Sequence, residues 1–405
     1  THASTSVNNN GGYIVKDLQF GNDTKQSSVS LTCIKGGVSS GSNDISNLGV
    51  GMLAGMTANR DSLVESGKYS NVSIENCTVE SPSMAGGLLG NSAWASRRTD
   101  AGSTAMVDFN SDKTISSPVR LYNCSYKNLN VRGATRVGGF VAAVGGGHGE
   151  YPEKSPVELR VMNANVAVGS DSTLEATGDN CVMGGIVGLA WSQVSVNAKQ
   201  GDDNTNTYQT AKLSDVVIKN GKAVTDDSLT GTGGIVGNPK AGMDISKGEI
   251  SSSKSSSDEN PTYLGALEPP SNFKRVGGIA GQIDSAGTYK VADATIRNVR
   301  ISANDSAAGI VGSLRSGVQI ACDGVTVEGC QINGQWSGGI VGAIGDVKNS
   351  SVGNPSSVTV TNSIIRQNNF QNENTGGVAG DGRGTFRLSN VLLDKNGYAE
   401  AATKG

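Results

Sequence analysis

The run Gly338-Gly339-Ile340-Val341-Gly342 constrains this chain more than any other feature, because it returns along most of its length. Copies stand at Gly86-Gly87-Leu88-Leu89-Gly90, Gly138-Gly139-Phe140-Val141-Ala142, Gly184-Gly185-Ile186-Val187-Gly188, Gly233-Gly234-Ile235-Val236-Gly237, Gly277-Gly278-Ile279-Ala280-Gly281, Ala308-Gly309-Ile310-Val311-Gly312 and Gly376-Gly377-Val378-Ala379-Gly380. A looser copy, Gly51-Met52-Leu53-Ala54-Gly55, precedes them. Such a period marks a stack of similar units rather than several unlike domains. The closest copies lie 30 and 31 residues apart, enough for one coil of two or three short strands. A propeller blade needs about 40 residues. Helical solenoids are excluded, since Gly-Gly pairs break helices and the apolar residues alternate. The 57 glycines follow no Gly-X-Y period, so collagen is excluded as well.

Before each motif runs an alternating segment with a polar centre. Examples are Val72-Ser73-Ile74-Glu75-Asn76-Cys77, Val325-Thr326-Val327-Glu328-Gly329-Cys330 and Val358-Thr359-Val360-Thr361-Asn362-Ser363. Alternation of this kind predicts a half-buried strand. Asn tolerates a left-handed backbone, and its amide can bond the Asn one coil away. Asn76, Asn123, Asn180, Asn220, Asn298, Asn362 and Asn390 are therefore expected to form an inward or corner ladder. Within the motif both the third and fourth residues are apolar, although strand neighbours point to opposite faces. Either a bulge turns both inward, or one apolar stripe lies outside and is covered.

The expected fold is all-β: a single-stranded, right-handed parallel β-helix (β-solenoid) of roughly ten coils with long loop insertions on one face. Residues 1–50 read as leading and capping coils and 51–405 as motif-bearing repeats. The insertions follow the motifs, at 91–118, 143–156, 189–212, 238–274 and 343–356. The serine-rich stretch 248–260 reads as a mobile loop.

The Gly-Gly-Ile-Val-Gly and Gly-Gly-Leu-Leu-Gly copies over residues 51–380 resemble the GLUG motif of bacterial cell-surface and adhesin-like repeat proteins. The resemblance implies a secreted or surface-attached bacterial β-solenoid and brings no catalytic residues. The longest apolar stretches are too short to cross a membrane as helices, so no direct membrane insertion is expected. A net charge of −3 gives no electrostatic case for nucleic acid.

Catalytic and metal chemistry finds few candidates. The two histidines, His2 and His148, lie in a tail and a glycine-rich loop. The carboxylates of the insertions (Asp100, Asp108, Glu150, Asp202, Asp203, Asp244) show no pairing in their spacing. No Cys-x-x-Cys pair occurs, so zinc ribbons are not expected. The six cysteines read as small buried side chains, with disulfides between coils left open. No catalytic residue, metal site or cofactor is assigned. Aromatic residues near the insertions are the binding candidates: Trp94, Trp191, Trp336 and Tyr151. Trp336 stands two places before its Gly-Gly pair, a slot that reads as exposed. The expected function is a non-enzymatic extracellular surface protein, an adhesin-like binding or structural module that can self-assemble into a filament or surface layer. Its partner would be a host or environmental glycan or protein, or copies of itself. The alternative is a polysaccharide lyase or glycoside hydrolase of β-helix architecture.

Overall fold

The computed structural model describes residues 14–21, 29–32, 49–57, 68–92, 119–144, 158–162, 165–166, 172–178, 181–191, 193–197, 210–220, 231–257, 262–265, 274–285, 287–315, 317–345, 356–372 and 374–398. These residues are all-β, with no helix, and the strands pair in parallel. Among the described residues the first eight units each supply five short strands, which pair with their counterparts in the neighbouring units, except that Ser125–Lys127 and Asn165–Val166 do not pair with each other. The five rows of strands form five walls. Wall one runs from Ile14–Lys16 and Lys68–Ser70 to Gln319–Asp323. Wall two contains Ser73–Glu75, Thr295–Arg297 and Thr326–Glu328. Wall three starts at Val29–Thr32 and ends at Gly397–Tyr398. Wall four runs from Gly49–Val50 to Asn374–Gly376, and wall five from Ala54–Thr57 to Val341–Ile344. In the ninth and tenth units walls one and two merge into the long strands Ser357–Arg366 and Thr385–Asp394. The arrangement is compatible with a β-helix or solenoid. Its N-terminal strands join the same walls as the motif-bearing repeats.

In most described units two corners each rest on one left-handed residue. Between walls one and two stand Asp17, Asn71, Asn123, Asn197, Lys247, Asp293, Asn362 and Asn390; between walls two and three stand Asn76, Asn128, Asp215, Asn298, Gln367 and Lys395. Their φ values lie between 49 and 56°, a region that Asn and Asp reach at least cost among residues with a Cβ. Gly324 and Gly329 take the same places at φ 63 and 64°. The corner N–H stays in the ladder, as Asn71 N donates to Tyr122 O at 3.0 Å. Side-chain amides link successive corners. Asn71 Nδ2 donates to Asp17 Oδ1, Asn123 to Asn71, Asn128 to Asn76 and Asn390 to Asn362, all at 2.8–2.9 Å. The expected ladder thus exists as two outward columns. Asn220 differs: it ends the strand Val216–Asn220, buried and without positive φ. Asn180 lies outside the described residues.

The residue after each left-handed corner turns inward. Val72, Cys124, Ala294 and Val325 follow the first corner, and Cys77, Leu129, Val299 and Cys330 the second; all are buried. This explains the Asn-Cys pairs: the thiol is a small core side chain beside a bend. The five described cysteines are buried, and none of them forms a disulfide.

The motif makes the corner between walls four and five. The backbone N–H groups of its third and fourth residues both donate to a single carbonyl one unit on. Leu88 N and Leu89 N share Phe140 O, Ile186 N and Val187 N share Ile235 O, and Ile340 N and Val341 N share Val378 O. Two donors against one acceptor is the pattern of a bulge. It turns Leu88 with Leu89, and Phe140 with Val141, into the interior together. The glycines are needed because walls four and five lie backbone to backbone. A Cβ on Gly138 would meet Val141 O at 1.8 Å, and one on Gly139 would meet Gly185 O at 2.0 Å.

The connections leave the stack at several corners, which corrects the expectation of a single insertion face. Segments 93–118, 145–157 and 346–355 follow wall five. Segment 198–209 joins walls one and two, and 221–230 and 266–273 join walls three and four. Much of the expected insertion 238–274 is itself a unit, with strands Met243–Ser246, Gly248–Ser251 and Thr262–Leu264. The serine-rich stretch is likewise tied into the stack. Ser252 and Ser253 donate their hydroxyls to Asp215 Oδ1 at 3.3 and 3.1 Å, and Ser256 donates to Gly329 O at 2.7 Å. Small hydroxyl side chains can pack at a corner and satisfy it at once, which composition alone does not reveal.

Candidate functional site

Of the four aromatic candidates, Trp191 and Trp336 are described; Trp94 and Tyr151 lie outside the described residues. Trp191 directly follows the wall-five strand Val187–Ala190, and its N–H donates to Val144 O at 2.8 Å. It is half-buried, with Lys240 Nζ 5.5 Å from its ring centroid. Such a placement attracts the ammonium to the ring face. Lys240 also pairs with Asp284, and both side chains are largely shielded, at 10% and 3% exposure. Asp284 accepts further bonds from Asn238 Nδ2 at 3.3 Å and Ser285 Oγ at 3.2 Å. The buried Tyr289 hydroxyl donates to Ser285 O at 2.8 Å. Burial, and secondarily the Asp284 charge, push that phenol well above its ordinary range. One face of Trp191 is therefore held by a polar network rather than offered freely.

Trp336 opens the wall-four strand Trp336–Gly338, in register with Ser306 and Asn374. It belongs to the column that also holds Met84, Arg136, Val182 and Arg275. The slot is less open than the sequence implies. Trp336, Arg136 and Arg275 are half-buried and Ser306 is buried. The neighbouring wall five accounts for this: Arg275 Nη1 donates to Gln282 Oε1 at 3.2 Å. Trp191 and Trp336 stand in the fourth and eighth units, about 19 Å apart along the stack at the usual strand spacing. They do not share one site.

Sequence reading missed a row of buried polar side chains. Asn91, Asn238, Gln282 and Ser313 occupy the third place of their wall-five strands and are buried at 2%, 0%, 0% and 4% exposure. Among the described residues Asn238 Oδ1, Gln282 Nε2, and the hydroxyls of Thr232 and Ser306 have no hydrogen-bond partner. The signal was present as the residue directly after the last motif glycine, where Ala143, Leu189 and Ala343 stand in other copies. Of the insertion carboxylates only Asp244 is described; it sits in a wall-one strand beside Ser195 and Lys290. Among the described residues no group of three His, Cys, Asp or Glu side chains is arranged to hold a metal ion. No described helix is long and apolar enough to cross a membrane.

The outer faces carry columns of alternating charge. On wall three Glu80, Arg132, Glu175 and Lys219 follow one another, with contacts of 3.1, 3.5 and 3.4 Å. On wall two Arg297 and Arg366 flank Glu328 at 3.2 and 2.7 Å. These pairs bind neighbouring units to one another. No protein-family model, curated protein or solved structure matches the chain.

Proposed function

We propose that the chain is a single-stranded, right-handed parallel β-helix serving as a non-enzymatic module of a bacterial surface protein. In this reading it acts outside the cell and binds a glycan or a protein through the segments that connect its strands. One observation carries the proposal. The parallel register continues from unit to unit while connections as different as 93–118 and the short link after Trp191 leave its corners. A constant frame with variable connections is how repeat folds separate stability from recognition. The GLUG-like motif supports a surface location, and the internally paired charge columns suit a frame more than a catalytic cleft.

The test has two arms. Antibodies raised against the folded chain should label intact cells that produce it, and purified chain should be retained on a panel of glycans and extracellular proteins. Labelling only after the cells are opened would overturn the location. Release of new reducing ends from a polysaccharide by purified chain would replace the binding module with the depolymerase alternative.

A further inference from the structure

We propose that Lys240 and Asp284 condense into a side-chain amide, a covalent staple that ties the fifth unit to the sixth. This goes beyond the surface-module reading and does not depend on it.

The two residues meet because the parallel register brings them level. Val236 pairs with Ala280, and the strands Val236–Pro239 and Ala280–Ile283 each end one residue before the pair. Trp191 holds the same place in the fourth unit, directly after Val187–Ala190. The column therefore reads aromatic ring, ammonium and carboxylate in successive units. Lys240 Nζ lies 2.5 Å from Asp284 Oδ2, inside the roughly 2.7–2.9 Å of a charge-assisted bond. One C–O bond further, Asp284 Cγ is at most about 3.7 Å from the nitrogen. That is near the separation of about 3–3.5 Å from which held groups react.

The surroundings keep water away. The two side chains are 10% and 3% exposed. The Trp191 ring stands 5.5 Å from Nζ. The buried Tyr289 hydroxyl reaches Ser285 O at 2.8 Å and Pro239 O at 3.5 Å, so it holds both chain segments beside the pair. Desolvation penalises both members of a buried ion pair, and their attraction offsets that cost only in part. Condensation removes both charges and releases one water.

Two neighbouring groups fit the reaction and its product. Ser285 Oγ donates to Asp284 Oδ1 at 3.2 Å. This oxygen stays, and the hydroxyl meets the charge that develops on it as the nitrogen adds. Asn238 Nδ2 donates to Oδ2, the oxygen that leaves, at 3.3 Å. The other end of the same amide, Asn238 Oδ1, is fully buried and has no partner among the described residues. A buried acceptor without a donor is costly. The staple supplies the donor, as the N–H that Nζ retains.

The step balances within the pair. The Lys240 ammonium passes one proton to Oδ2, leaving an amine and a carboxylic acid. The amine lone pair then forms the Nζ–Cγ bond. Nζ gives a second proton to Oδ2, the Cγ–Oδ2 bond breaks, and Oδ2 departs as water. No oxidant, reductant or further reactant enters.

Intact-mass spectrometry of the denatured full chain should read one water below the mass its sequence gives. Tryptic digestion should yield a branched peptide joining the Lys240 and Asp284 segments. Lys240→Arg keeps a cation beside Asp284 without an amine to condense. It should run at its full sequence mass and unfold at a lower temperature than the parent. The measurement on the parent does not require any variant to fold. A parent at full sequence mass, with the two segments in separate peptides, would overturn the proposal. So would a lost water that persists in Lys240→Arg, because it would belong to another place such as Asp323-Gly324.

Discussion

Gly185 shows what one missing side chain does for this fold. A Cβ there would lie 2.1 Å from Gly234 O and 2.2 Å from Leu213 Cδ2, so neither backbone nor core has room to give. Gly185→Ala is expected to cost about 3 kcal/mol, the upper range for overpacking. Gly382→Ala meets nothing within 4 Å and should stay within about 0.5 kcal/mol of the parent in denaturant titrations. The thiols give a second prediction. Burial pushes Cys124 up to about 11 and Cys322 and Cys330 up to about 12, and it raises Cys181 as well. A thiol reagent at pH 8 should therefore leave these four unmodified in the folded chain and react with them after unfolding. The same shifts set a sign for stability. Above the ordinary thiol value of 9.0, the unfolded chain ionises while the folded chain keeps its protons. Stability should fall from pH 9 towards 11–12, each thiol contributing up to about 1.4 kcal/mol per pH unit. At this scale the sequence was legible where a residue type has one use, as with the paired glycines. For Leu88 and Leu89 it left two readings, a bulge that buries both or an outer apolar stripe, and alternation alone did not choose the bulge that the shared Phe140 carbonyl makes. Nor did it reveal Asn238 and Gln282 as buried, since an amide after a glycine reads as surface.

At the scale of the element, the corner decides more than the strand. Asn123 holds φ +50° and donates its amide to Asn71 at 2.8 Å. Asn123→Ala loses the bond and leaves a Cβ without compensation in the left-handed region, for an expected cost of about 2 kcal/mol. Asn123→Gly keeps the backbone at ease and should cost about 1 kcal/mol or less; Gly324 and Gly329 already stand at such corners. Urea unfolding of the two variants checks the order. The charge columns make a weaker prediction. Arg297 and Arg366 around Glu328 are 51% and 41% exposed. Glu328→Gln should therefore lower stability by less than about 1 kcal/mol, and the difference should shrink in 1 M salt. The strands and the turning Asn residues could be read from alternation and residue type. The exit points of the connections could not, because motif spacing measures how much chain intervenes and not at which corner it departs.

At the scale of the whole molecule, ten units at the usual strand spacing give a long axis of about 48 Å for one chain. Electron microscopy of the purified chain should show strands stacked about 4.8 Å apart along that axis, lengthened by whatever the connections add. Strands that do not repeat at that spacing along one axis would contradict the β-helix proposed here. The outward amide ladders have a direction: Asn71 donates back to Asp17, Asn123 to Asn71, and Asn390 to Asn362. In these links the later unit brings the donor, and the earlier one holds the acceptor ready. A chain emerging from a ribosome or a secretion pore with its N-terminus first would find its template already laid down at these corners. Growth could then proceed by annealing one turn at a time onto the finished end, with little need to search for distant partners.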